Sequence, residues 1–313
     1  MPTFSTQGAV HSYDLTESRS RQGLARCETL VFLHGWLLSR SYWQPLVEQL
    51  STDYRCLTYD LRGFGESVAS VSEPAIASSK FSRYSLAAYA QDLEKLLDGL
   101  GLDQVWLLGH SLGGSIALWA AYLFPNRVKG VICINAGGGI YIDQAFEKFR
   151  KAGQQMVKFR PRWLGQLPVL PQIFSRMMVR QPLGVQWGQQ RIQDFIRADR
   201  LAAEGALLES TTEEEVHQLP IIVGKLSQPV HFITASEDKI MPPRYVRYLA
   251  SFHPRFVEGE SVTELSDCGH MAMVEQTEAV ADVVRFVISQ AKDCVAQVRA
   301  TEHKAGEFQS RVV

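Results

Sequence analysis

The stretch QVWLLGHSLGGSIALWA at 104–120 limits the fold more than any other part of the chain. A mostly apolar run ends at Gly109, a serine stands between two glycines with a third at 114, and small apolar residues at helical spacing follow. A strand that becomes a helix so abruptly needs glycine wherever a Cβ would strike the neighbouring strand or helix. The turn lifts the intervening side chain, Ser111, out of the sheet at the positive end of the helix dipole.

The same alternation of short apolar runs and longer helical patterns continues on both sides. FSTQGAVHSYDL (4–15) is expected as a strand pair turning at Gly8. TLVFLHG (29–35), YRCLTYD (54–60), QVWLLG (104–109), VKGVICINA (128–136), PVHFITA (229–235) and VTELSD (262–267) read as further strands. Helical spacing marks 42–50, 86–101, 115–124 and 275–291. Near-continuous apolar strands alternating with helices predict an α/β fold, a mostly parallel sheet covered by helices on both faces. Residues 139–222 break the rhythm: they lack a convincing strand and hold five prolines (161, 168, 171, 182 and 220). They are expected as a helical insertion, so 1–138 and 223–291 make the core and 292–313 a fraying tail.

Composition narrows the class of function. Of 313 residues, 46% are hydrophobic and 21% charged, and the net charge is −1, which gives no push towards nucleic acid. The first twenty residues hold no apolar core behind a basic start, and no apolar run reaches membrane-spanning length. Five scattered cysteines (27, 56, 133, 268 and 294) without a CxxC or Cys/His cluster suggest free thiols in a reducing cytoplasm and no zinc. No metal or organic cofactor is implied, and the expected partner is a small-molecule substrate.

A serine hydroxyl is a poor nucleophile at neutral pH and needs a histidine base. Of eight histidines, His110 adjoins the serine but its ring is expected to turn the other way off the turn. His11, His231, His253 and His303 have no helpful context, His217 lies in an acidic stretch, and His34 ends a strand where it suits a loop better than a base. His270, in the loop DCGHMAMVE after the strand at 262–267, is expected at the C-terminal sheet edge, where ligands bind in open α/β folds. The base needs a carboxylate to hold its tautomer. Asp238, in SEDKIMPP, is preferred over Glu237 and Asp267 because the order Ser111, Asp238, His270 is the one this strand–turn–helix architecture carries. The N–H groups of Leu112 and of Trp36, in LHGWLLS, are the expected oxyanion donors.

With these residues in place, the chain resembles the α/β-hydrolase superfamily over nearly its whole length. LHGW at 33–36 is similar to the oxyanion loop of that superfamily, DLRGFGES at 60–67 to its Asp-x-Arg-Gly-x-Gly-x-Ser stretch, and GHSLGG at 109–114 to its nucleophile elbow. SEDKIMPP at 236–243 resembles its acid loop and GHMAMVEQ at 269–276 its histidine loop. The resemblance implies an eight-stranded sheet and a helical cap between the sixth and seventh strands. Serine at the elbow argues against haloalkane dehalogenases and epoxide hydrolases, which carry aspartate there. The expected activity is cleavage of a carboxylic ester. A C–C hydrolase or lyase of the menaquinone-synthesis type, acting on an anionic apolar acid, is the alternative, and a ligand receptor on a hydrolase fold is the alternative outside enzymes.

The insertion bears on substrate. Residues 145–180 hold eight basic side chains and one acidic, interleaved with apolar residues. A solvated basic face, arginines turned inward to a substrate carboxylate, and a basic surface resting on anionic lipid all fit that pattern. Leu37, His110, Trp163, Phe174 and Met177 are the expected pocket residues.

Overall fold

The computed structural model describes residues 2–6, 9–20, 27–69, 81–137 and 143–310, with side chains at all of these but 143–146, 149 and 294–310. Gly8, and the side chains of Cys294 and His303, lie outside the described residues. The strands are β1 (Thr3–Thr6), β2 (Ala9–Thr16), β3 (Thr29–Leu33), β4 (Arg55–Tyr59), β5 (Val68–Ala69), β6 (Val105–His110), β7 (Val128–Ile134), β8 (Val230–Ala235) and β9 (Val262–Leu265). They form one sheet in the order β1-β2-β4-β3-β6-β7-β8-β9, with the two-residue β5 pairing to the side on β2. From β4 to β9 every pairing is parallel; β1, β2 and β5 are antiparallel.

Side chains of the central strands alternate between two cores, as the pleat demands. Val31, Leu33, Leu107, Val131 and Cys133 point to one face. Leu30, Phe32, Trp106, Leu108, Ile132 and Ile134 point to the other. The first face is covered by α2 (Leu86–Gly99), α3 (Leu112–Leu123), α8 (Glu213–Lys225) and α9 (Pro243–Ala250). The second is covered by α1 (Gln44–Leu50), α10 (Ala272–Glu275) and α11 (Thr277–Ser310). Burial on both faces is why these strands read as unbroken apolar runs.

Between β7 and β8 lie α4 (Asp143–Lys158), a 3-10 turn at Arg162–Gln166, α5 (Leu170–Phe174), α6 (Val185–Arg197), α7 (Arg200–Glu209) and then α8. α8 straddles residue 222 and leans on α3, with Leu219, Ile222 and Val223 in the core and Glu215 accepting from the Trp119 indole. It therefore belongs to the layer that covers the sheet, whereas α4 to α7 lie above it. They reach the core through loops that follow β3 and β4 and through the turn that leads into α2, where Ser82 Oγ donates to Glu209. Asp199 N–H donates to Gly63 O at 2.7 Å, Ser39 Oγ donates to Asp194 at 3.0 Å, and the Trp36 indole donates to Ala203 O at 2.8 Å. The segment expected to fray from 292 continues α11 to Ser310; it lacks proline and is rich in good helix formers.

Candidate active site

Ser111 is the N-cap of α3 and holds φ +51°, ψ −119°, a conformation few residues other than glycine adopt. The flanking glycines explain how the turn closes. A Cβ on Gly109 would lie 2.3 Å from Gly113 O, and one on Gly113 would lie 2.2 Å from Leu33 O. β3 and the first turn of α3 thus touch backbone to backbone, and Ser111 is pushed above the sheet edge.

Asp238 and His270 meet at that same edge. Asp238 follows β8, His270 follows β9, and His270 Nδ1 lies 2.8 Å from Asp238 Oδ2 with both side chains buried. The carboxylate is further held by N–H donors from Ile240 and Met241, both 2.8 Å from Oδ1, and by Asn135 Nδ2 at 2.9 Å from Oδ2. Burial alone would raise its pKa; the charge and hydrogen bond of His270, with the Met241 and Asn135 donors, outweigh that and hold it below the usual carboxylate range. The rival carboxylates Glu237 and Asp267 are exposed. A carboxylate facing Nδ1 fixes the proton there and turns Nε2 into the free acceptor.

His110 does not turn away from the site. Its ring lies 4.8 Å from the His270 ring, and its Nε2 is 2.8 Å from His270 O. The left-handed turn at Ser111 leaves His110 under the histidine loop, where an aromatic ring fills the gap. A nitrogen facing a carbonyl must be the protonated one, so Nε2 carries the hydrogen. Burial, helped by repulsion from His270, pushes its pKa down to about 3, which removes it as a base at neutral pH. His34 shapes the neighbouring loop: its Nε2 accepts from Leu61 N–H at 2.9 Å, and its Nδ1 donates to Gly35 O at 2.8 Å. His11, His231 and His253 are buried and engaged by Asp60 O, Thr263 Oγ1 and Gln228 O respectively, and His217 is exposed.

The loop after β3 is pressed against the elbow: a Cβ on Gly35 would come within 3.2 Å of Ser111 Cβ. The Trp36 N–H lies in that loop, and the Leu112 N–H is the first of α3, where a helix offers its amides no intrahelical acceptor. The Trp36 indole is wedged into the upper layer, 3.2 Å from the Cβ position of Gly153, while Leu37 is buried at φ +56°. Phe174 is half-buried, its ring 6.3 Å from Phe195, whereas Trp163 and Met177 are exposed. The stretch at 60–67 is an anchor: Asp60 accepts from the Arg40 guanidinium, from Arg40 N–H at 2.6 Å and from Glu66 N–H at 2.9 Å.

Two residues that the motifs above do not single out complete the arrangement. Asn135, at φ +50° after β7, joins Asp238 to the histidine loop through Gly269 O. Glu275 accepts N–H groups from Gly269 and Met271 on the histidine loop and from Arg180 and Gln181 in the upper layer. His270 N–H itself donates to Met178 O at 2.8 Å. Arg191 braces that turn by donating to the carbonyls of Phe174 and Met177. The histidine loop is therefore stitched to the layer above it.

Residues 28–277 match the family model described as alpha/beta hydrolase fold. A Rhizobium rhizogenes protein that carries the name carbamate hydrolase RutD is 29% identical over 271 residues, 83% of this chain and 92% of that protein. The pimeloyl-[acyl-carrier protein] methyl ester esterase of Shewanella oneidensis is 26% identical over 84% of this chain and 92% of its own. Among solved structures, a thermophilic esterase from Thermogutta terrifontis superposes with a TM-score of 0.68 at 24% identity, over 92% of this chain and 97% of that one, and carries the same fold. With the family model spanning β3 to the start of α11 and the sheet order, elbow and overlying helices described above, the chain belongs to the α/β-hydrolase family and is a hydrolase.

Proposed function

We propose that this hydrolase cleaves a carboxylic ester, or a related acyl bond, of a small and largely apolar substrate through an acyl-enzyme. The observation that carries the reading is the buried 2.8 Å contact between His270 Nδ1 and Asp238, at the sheet edge where Ser111 stands at a left-handed φ. Ser111 Oγ attacks the carbonyl carbon while His270 Nε2 takes its proton. Asp238 stabilises the imidazolium that results. The Trp36 and Leu112 N–H groups hold the oxyanion of the tetrahedral intermediate. His270 then gives its proton to the leaving alcohol, and water, activated by the same nitrogen, releases the acid.

A neutral substrate fits better than an anionic one. The buried guanidinium groups among the described residues are committed: Arg40 to Asp60, Arg62 to Asp92, and Arg191 to main-chain carbonyls. Arg160, half-buried, is bound to Val157 O and Phe195 O. None is left to receive a substrate carboxylate, which counts against the lyase alternative. The two relatives described above are named for hydrolysis of a carbamate and of a methyl ester, both acyl bonds to a heteroatom.

The test is labelling with a fluorophosphonate probe beside a chain-length series of p-nitrophenyl esters. Wild-type protein is expected to label and turn over, and Ser111→Ala to do neither. Turnover surviving in the alanine variant, or a wild-type protein that neither labels nor turns over, refutes the assignment.

A further inference from the structure

We propose that the outer face of the layer formed by residues 156–180 docks on an anionic lipid bilayer. The proposal stands apart from the catalytic reading and rests on where this segment lies. α6 is sandwiched. Its inner side meets the loop after β3, through Ser39–Asp194 at 3.0 Å and the stacked rings of Tyr42 and Trp187. Its other side carries the 3-10 turn at 162–166 and α5, with Pro171 O 1.8 Å from the Cβ position of Gly188. The 162–174 strip is therefore the outermost layer of the molecule on this side.

That layer presents apolar bulk to solvent. Phe159 is 79% exposed, Val169 63%, Trp163 55% and Ile173 48%. Isolated exposed apolar residues are ordinary, but four large ones within one short outer segment, 159–173, mark an interaction surface. Charge narrows the partner. From 148 to 193 the chain holds nine Lys or Arg and no Asp or Glu, although the whole chain is −1. Arg160 and Arg191 are spent on main-chain carbonyls within the layer. Lys158, Arg162, Arg176 and Arg180 are exposed and form no ion pair among the described residues.

A strip of Phe, Trp, Val and Ile interleaved with unpaired cations suits a negatively charged lipid interface: the rings and branched chains enter the acyl boundary while the guanidinium groups stay among the phosphates. No helix among the described residues is long and apolar enough to cross a membrane, so the contact proposed is peripheral.

The experiment is sedimentation of the full chain with vesicles of phosphatidylcholine alone and of phosphatidylcholine mixed with phosphatidylglycerol. Binding is expected to the anionic vesicles only and to be lost in high salt. Tryptophan emission should shift to the blue on binding, and that shift should vanish in Trp163→Phe, whose side chain is the most exposed of the described tryptophans. Arg162→Glu with Arg176→Glu should lower partitioning about a hundredfold or more. Phe159→Ser with Ile173→Ser should weaken it at unchanged charge, and the thermal transition of each variant reports that it is folded. Failure to bind anionic vesicles overturns the proposal, as does binding that neither pair of substitutions alters. Capture of a small acidic carrier protein through the same arginines, with no vesicle binding, would assign the face to a protein instead.

Discussion

Removing the Glu275 carboxylate separates fastening from folding. Its Oε1 and Oε2 lie 3.1 Å from Gly269 N, Oε1 lies 3.2 Å from Met271 N, and Oε2 lies 2.6 Å from Arg180 N and 3.4 Å from Gln181 N. Glu275→Ala leaves four N–H groups without their acceptor, two on the exposed Arg180 and Gln181 and two on the buried Gly269 and Met271. A charge-assisted hydrogen bond contributes about 1.5–3 kcal/mol, and solvent recovers part of it, so the loss of stability should be about 2–3 kcal/mol. In a chain of this size that lowers Tm by about 3–5 °C. The kinetic effect should be larger than stability alone implies. His270 is the second residue of the released loop segment, and a displacement of about 1 Å costs about a hundredfold in rate. Turnover of p-nitrophenyl butyrate and the rate of fluorophosphonate labelling should fall together, by about ten- to a hundredfold, with KM little changed. Glu275→Gln keeps an oxygen for Gly269 and Met271 but turns an amide N–H towards the Arg180 donor, and should fall between. A Glu275→Ala protein with a lowered Tm and unimpaired kcat would refute the positioning argument.

Ser111→Gly should be more stable than Ser111→Ala by about 1 kcal/mol, read by thermal melting, because alanine keeps a Cβ at φ +51° and glycine does not. Asp238→Asn should lower kcat by about ten-thousandfold, since an amide cannot hold the His270 proton on Nδ1; a loss below tenfold would show that another group orients the ring. Asp194, buried between α6 and the loop after β3, has a pKa raised to about 7 by burial, against the hydrogen bonds from Ser39 and Gln190. The folded state therefore holds a proton that the unfolded state releases near pH 4, so stability falls as pH rises from about 4 to 7 and levels off above. Asp194→Asn should remove that slope, making the variant's Tm advantage grow with pH; parallel wild-type and variant curves would contradict the shift.

Local chemistry accounts for what the bare sequence discloses. The elbow is legible because strand, glycines, serine and helix are contiguous, and each glycine answers a clash across a few residues. Asp238 and His270 are legible because each follows a strand and so must end at the same edge, but the choice of Asp238 over Glu237 and Asp267 is visible only in burial. Asn135 left one faint mark, a polar residue that tolerates a left-handed φ at the end of an apolar strand. Glu275 left none. Its partners lie about 95 positions upstream as well as next door, and no periodicity encodes a bond between a turn of the upper layer and the loop that carries His270. The opposite reading of His110 failed for a similar reason: its direction depends on what packs over the turn. The stretch 145–180 is open to three readings because a basic, apolar stretch looks the same whether its arginines turn in or out.

Trp36 has two allegiances. Its main-chain nitrogen follows Gly35, whose Cβ position lies 3.2 Å from Ser111 Cβ, while its indole is plugged into a socket made by Gly153 and the Ala203 carbonyl. One amino acid thus joins the loop beside the elbow to the roof above it. Grafting a foreign roof onto this chassis to change its diet would withdraw the plug's socket and let the nitrogen drift. Designers who wish to retool such a protein should preserve that socket first and vary the roof only on the side facing away from it.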